Sequence, residues 1–195
     1  MFDPDGPVLG IDPGLSRCGY GVVARERGGT LVARAYGVVR TEPQHPLPAR
    51  LVDLERELEQ LVADHAPSAV AVERVLFQTN VRTAMAVGQA SGLALLVAAR
   101  AGVPVAQYSP NEVKLTVTGD GAADKVQVQT MVTRLLGLAS VPKPPDAADA
   151  LGLALCHLGG ARLEAALPSD APATGTVVSS YERAVAAALA REEAS

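Results

Sequence analysis

The side chains best suited to chemistry in this chain are acids set in apolar surroundings. Asp12 closes the run Val8-Leu9-Gly10-Ile11 and precedes Pro13-Gly14, and Glu73 closes Val70-Ala71-Val72. Both runs read as buried strands, so both carboxylates stand at strand carboxyl ends, where ligand crevices form in open α/β sheets. Asp146 and Asp149 are three residues apart at the start of a helical stretch, which places them on one helix face. Four carboxylates gathered on one edge repel one another strongly without a cation. Hard divalent ions with oxygen ligands, Mg²⁺ or Mn²⁺, meet that need. Two such ions ~4 Å apart suit in-line attack of water on a phosphodiester.

Each acid also has an ordinary structural use. Asp12 before Pro13-Gly14 can initiate a turn. Asp146 can cap a helix, and Asp149 can complement the helix dipole in the first turn. Glu73 has no such role, because a lone carboxylate closing an apolar strand satisfies nothing nearby. The four in this topological order favour the chemical reading.

The elements that must position them follow from the hydrophobic pattern. Residues 7–12, 19–24 and 30–40 read as three antiparallel strands, the last two joined as a hairpin at Arg27-Gly28-Gly29. Leu47, Leu51, Leu54, Leu58 and Leu61 make one apolar helix face that ends near Pro67. A strand over 69–73, a helix over 80–101 and a strand over 103–108 come next. Ser109-Pro110 opens a helix to about Val117, Asp124 caps another, and Asp146 to Leu158 forms the last. This order predicts an α/β fold, a mixed five-stranded sheet with three antiparallel strands, then parallel additions, and helices on both faces. Residues 7–165 read as one domain, and 166–195 as an Ala-rich linker or disordered tail in which 181–193 forms a helix either on its own or only when a partner binds.

Composition narrows the class. The chain has 195 residues, enough for one domain with a real core. Six aromatic residues against 34 Ala and 25 Val make that core aliphatic. Cys18 and Cys156 are too few for a disulfide scaffold and lie in apolar stretches, so they read as buried thiols in a reducing cytosol. The N-terminus lacks the pattern of a secretory signal. The apolar stretch 83–101 is broken by Gln89, Ser91 and Arg100 and reads as a buried helix, not a membrane span. The net charge is −4, yet residues 65–145 net +3 and the remainder −7. All three lysines fall between 114 and 143, compatible with one face that meets polyanions. His157, ~12 Å along the helix from Asp149, reads as a packing or surface residue and not a ligand.

The motifs GIDPG (10–14), LPARL (47–51), AVERV (71–75), VGQA (87–90), VQVQ (126–129) and DAADAL (146–151) together resemble the RuvC family of crossover-junction endodeoxyribonucleases. The resemblance runs from about residue 7 to 165, in order and spacing. It implies a ribonuclease H-like fold and a bacterial, cytoplasmic enzyme, nucleoid-associated during repair. It also implies a homodimer that nicks opposing strands of four-way (Holliday) junction DNA, leaving 5′-phosphate and 3′-hydroxyl ends. The RuvA–RuvB branch-migration complex would be its partner. Asp12, Glu73, Asp146 and Asp149 match the family's metal-binding catalytic acids, and Lys114 and Lys125 its basic residues near the scissile strand. The family's base-stacking aromatic falls at Leu76, with Phe77 next to it; Phe77 alone offers an aromatic face. Arg74 and Arg82 flank that segment and complete the expected DNA-binding set. Position 122, basic in many members, is Ala122.

Two other readings compete. GIDPG also resembles the phosphate loop of actin-like ATPases and sugar kinases. That fold needs a second domain and a second Asp-Gly loop on a strand pair, whereas Gly119-Asp120-Gly121 falls between expected helices. A non-catalytic nucleic-acid-binding module would set the acids against the phosphates to no purpose.

Overall fold

A computed structural model of the chain describes residues 6–74 and 81–166, with the side chains of Arg82 and of 161–166 outside that description. The described elements run β1 (Val8–Asp12), β2 (Arg17–Arg25), β3 (Leu31–Arg40), α1 (Leu47–His65), β4 (Ala69–Glu73), α2 (Val81–Arg100), β5 (Val105–Tyr108), α3 (Pro110–Thr118), α4 (Lys125–Leu135) and α5 (Pro145–Ala166). The sheet order is β3-β2-β1-β4-β5. β1 to β3 pair antiparallel, while β4 and β5 add in parallel. The expected mixed sheet is therefore present. Gly28 and Gly29, at φ 103° and 91°, take the turn conformations of the β2–β3 hairpin that side chains resist.

Alternation along the strands assigns the two faces. Leu9, Ile11, Val70 and Val72 meet Leu54 and Leu58 of α1 and Ala90, Ala94 and Val97 of α2. Val8, Ala69 and Ala71 point the other way, into a core with α3, α4 and α5. α5 lies unusually close on that face. A Cβ at Gly10 would fall 1.9 Å from the Ala150 carbonyl oxygen, and one at Gly19 would fall 2.1 Å from that of Asp146. These missing side chains let the start of α5 rest on β1 and β2.

Several expected boundaries move. β5 starts at Val105, because Pro104 has no N–H to give a ladder and the Val103 N–H returns to the Ala98 carbonyl. α5 does not stop at Leu158 but runs through Gly159-Gly160 to Ala166. A Cβ at Gly159 would come within 3.0 Å of Thr116 of α3, so this glycine marks close helix packing, not a stop. Pro145 takes the first helical position, which puts Asp146 in the first turn instead of at the cap. Ser109 and Asp124 do cap α3 and α4, each in a reciprocal capping box. Gly119-Asp120-Gly121 lies between those two helices.

α2 is not buried all round. Its stretch Thr83–Arg100 is long and apolar enough to cross a membrane by length and composition alone, with mean hydropathy 1.2, and 28% of it is buried. One face seals the sheet, and the other exposes Val81, Met85 and Leu96. Both cysteines are free and buried. Apart from Ala166, the expected tail lies outside the described residues.

Candidate active site

Strand register brings the first two acids together. Ile11 pairs with Val72, so Asp12 and Glu73 are next in line at the carboxyl ends of neighbouring parallel strands. Both have the parity of Gly10 and Ala71, so both project onto the α5 face. The close seat of α5 on Gly10 and Gly19 then delivers Asp146 and Asp149 to the same place. Asp12, Glu73, Asp149, Lys114 and Lys125 line one cleft of about 360 Å³, floored by Val113, Val128 and Leu153. Asp146 sits at its margin, close enough to act electrostatically on Asp12.

The charges in this cleft are strained. Burial, a hydrogen bond with Glu73, and the charges of Glu73, Asp149 and Asp146 raise the Asp12 carboxyl from 3.8 to about 8. Lys125 Nζ lies 2.6 Å from Asp149 Oδ2. Burial opposes the charge on Lys125, but the pair with Asp149 outweighs it and holds the amine above its usual value. An ion pair should lower its acid, yet Asp149 is raised, because burial is its largest influence and Asp146 adds to it. Arg17 Nη2 reaches Asp146 Oδ1 at 3.5 Å, while Asp146 Oδ2 is buried with no hydrogen-bond partner.

Among the described residues no three of these side chains are already drawn together as a metal shell. Lys125 and Arg17 each hold one acid. The donor set is all oxygen, the crowding calls for positive charge, and Asp146 Oδ2 is a buried acceptor left over. These features fit a hard divalent cation.

The remaining expected residues are placed as follows. Arg74 does not face the cleft freely: its backbone N–H donates to the Tyr108 carbonyl and its guanidinium to the Gln107 carbonyl at 3.2 Å. Arg82 lies in the first turn of α2, its side chain outside the description, and Leu76 and Phe77 lie outside the described residues. His157 is largely buried, its Nδ1 2.7 Å from the Tyr108 hydroxyl, and burial lowers it to about 4. Of the two expected uses, packing or surface, burial and the Tyr108 contact select packing. The Ala122 N–H is taken up by Asp120 Oδ1 within its own loop.

Sequence reasoning missed two groups. Arg17 was not singled out, although it opens β2 two residues before Gly19, on the α5 face. Arg50, in the LPARL motif, donates from Nε to Thr41 Oγ1 at 3.0 Å and from Nη2 to Ser16 Oγ at 2.7 Å. Thr41 in turn donates to the Leu15 carbonyl at 2.6 Å. This network pins the turn that follows Asp12. The signals in sequence were the alternate glycines Gly19 and Gly21, which mark a strand closely approached on one face.

Comparison with known proteins places the chain beside one family. The family model described as crossover junction endodeoxyribonuclease RuvC matches residues 8–157. A protein of that name from Salinispora arenicola is 58% identical over 165 residues, covering 84% of this chain and 94% of its own. One from Streptomyces griseus is also 58% identical, over 151 residues, covering 77% of this chain and 74% of its own. The solved structure of T. thermophilus RuvC in complex with Holliday junction substrate superposes with a TM-score of 0.76 at 39% identity, covering 81% of this chain and 96% of that one.

Proposed function

The chain belongs to the crossover junction endodeoxyribonuclease RuvC family, and from that membership we propose that it resolves four-way (Holliday) DNA junctions in recombination and repair. Its fold is ribonuclease H-like, and its reaction is metal-dependent phosphodiester hydrolysis. The observation that carries the site assignment is the convergence of Asp12, Glu73 and Asp149 in one cleft with Lys114 and Lys125, with Asp146 at its margin.

Asp12, Glu73, Asp146 and Asp149 are proposed to hold two Mg²⁺ or Mn²⁺ ions per subunit. When bound, such ions neutralise the carboxylates, lower the pKa of water and stabilise charge on the attacking and leaving oxygens. The protein's own part is binding and orientation. Lys125 is the first residue of α4, so its amine and the helix amino end both favour a phosphate there. Its bond to Asp149 holds it at the cleft, where it would meet a phosphate when Asp149 holds a cation. Lys114 approaches the same cleft from α3. Apolar Val113, Val128 and Leu153 beneath them lower the local dielectric and strengthen each of these interactions.

A homodimer follows from the reaction, since opposing strands need paired sites. α2 offers the face for it. Val81, Met85, Gly88, Gly92 and Leu96 form an exposed stripe, and Cβ atoms added at Gly88 and Gly92 would meet nothing within 4 Å. We read this stripe as a subunit contact, not a membrane span. Products with 5′-phosphate and 3′-hydroxyl ends, action with RuvA–RuvB, a cytoplasmic location and a 7–165 catalytic domain complete the proposal.

The test is Asp12→Asn. The variant is expected to lose junction cleavage by at least ~10³-fold, in line with removal of a metal-held catalytic group. It should still bind the junction, because one negative charge is gone from a phosphate-facing cleft. Substantial cleavage by the purified variant at saturating Mn²⁺ would overturn the assignment of the acids.

A further inference from the structure

Beyond the acid cleft, along the same edge of the sheet, the chain carries a second group of cations. β2 begins at Arg17 and β3 ends at Arg40, and the two residues stand directly opposite in the antiparallel register. Like charges at opposed positions destabilise a sheet, so the fold gives no reason to place two arginines there. Both are exposed, Arg17 with 53% of its side chain accessible. Arg17 bridges to Asp146 at the margin of the acid cleft. β3 lies ~10 Å from β1 across the sheet. The edge thus reads Arg40, Arg17, Asp12, Glu73 from β3 to β4, and Lys114 and Lys125 come in from α3 and α4 on the far side of the acids.

Arg17 and Arg40 line a separate groove of about 660 Å³ with Ser16 and Thr41. The strand side of this groove is built firmly. Thr41 is 5% exposed and fixes the Leu15 carbonyl, and the Arg50 guanidinium clamps Thr41 and Ser16 together. The LPARL motif thereby finds a use: Arg50 locks the turn from Asp12 to Arg17. The α1 side brings Asp53, Arg56 and Glu57, so the groove as a whole is not a general sink for anions. Acids stand at the Arg17–Arg40 end too, Asp146 paired with Arg17 and Glu42 lining the groove beyond Arg40; what sets this end apart is two cations side by side next to the acid cleft.

We propose that Arg17 and Arg40, held by the Ser16–Arg50–Thr41 network, bind a backbone phosphate of the nicked strand on the side of the acids opposite Lys114 and Lys125. The strand would then be gripped on both sides of the bond to be cut. This rests on the reading of the acid cleft as a junction-cleaving site. On binding, Arg17 would exchange its Asp146 partner for the phosphate, which would free Asp146 to hold a cation.

The test measures affinity for a labelled four-way junction by anisotropy, with every protein carrying Asp12→Asn to prevent cleavage. Arg17→Ala and Arg40→Ala should each weaken binding roughly tenfold. Each should lower the slope of log affinity against log salt by about one. Arg40→Lys should keep the slope, and so should Arg27→Ala at the distant hairpin turn. Melting temperatures separate binding from folding, and Arg17→Gln serves if Arg17→Ala unfolds. Unchanged affinity and slope in Arg40→Ala, or an equal loss in Arg27→Ala, would overturn the subsite. Failure of the Asp12→Asn parent to prefer the junction over linear duplex would instead overturn the function on which the subsite rests.

Discussion

Asp12 shows how one residue reports the missing charge of its surroundings. Its carboxyl is raised from 3.8 to about 8 by burial first, then by Glu73 and the neighbouring acids. The folded chain therefore binds this proton more tightly than the unfolded chain. The resulting stabilisation is complete below pH ~4 and is lost as pH rises through about 8. In the proposed metal site a divalent ion would take over the role of that proton. The gain in melting temperature given by Mn²⁺ or Mg²⁺ should then grow from about pH 6 to about pH 8.5, with protons released on metal binding. Scanning fluorimetry across that range checks this; a metal-induced gain independent of pH, or none at all, contradicts it. At this scale the acids were legible because a carboxylate ending an apolar strand has few structural excuses. Arg17 and Arg50 were not, because their partners lie 129 and 34 residues away and depend on register and docking that no local pattern encodes.

Among the elements, α5 decides whether the site exists. It carries two of the acids and reaches them to Asp12 only because Gly10, Gly19 and Gly21 leave the sheet surface bare. Gly10→Ala places a methyl group 1.9 Å from a backbone oxygen, which cannot swing aside as a flexible side chain can. The substitution should destabilise the fold by about 3 kcal/mol or more and weaken the metal-induced gain in melting temperature in whatever folds. A variant with unaltered melting temperature and metal response would show that α5 does not need this seat. The strands and amphipathic α1 were readable from periods of two and of three to four residues. The end of α5 was not, since Gly159-Gly160 reads locally as a stop and only contact with Thr116 explains a glycine inside the helix.

At the scale of the whole molecule, the proposed dimer would set two sites against two strands, joined through the exposed stripe of α2. Gly92→Leu should improve the isolated helix by ~0.5–1 kcal/mol, because a side chain there meets nothing in the single chain. In a dimer packed through α2 the same side chain forces the helices apart. Sedimentation should show a shift from dimer to monomer with no loss of melting temperature in the monomer; a variant that stays dimeric would place the interface elsewhere. The charge asymmetry belongs to this scale too: the middle section of the chain supplies Lys114 and Lys125, whereas Arg17 and Arg40 come from the acidic remainder, so net charge by segment points to the lysines and not to these two arginines. The measurement that bears most directly on the whole account is a map of the nicks made in a labelled synthetic four-way junction with Mg²⁺ or Mn²⁺. The account expects one nick in each of two opposing strands of like polarity, symmetric about the centre, and none from Asp12→Asn or from the parent without metal. An intact junction after incubation with the metal-loaded parent, or the same nicks from Asp12→Asn, would contradict it.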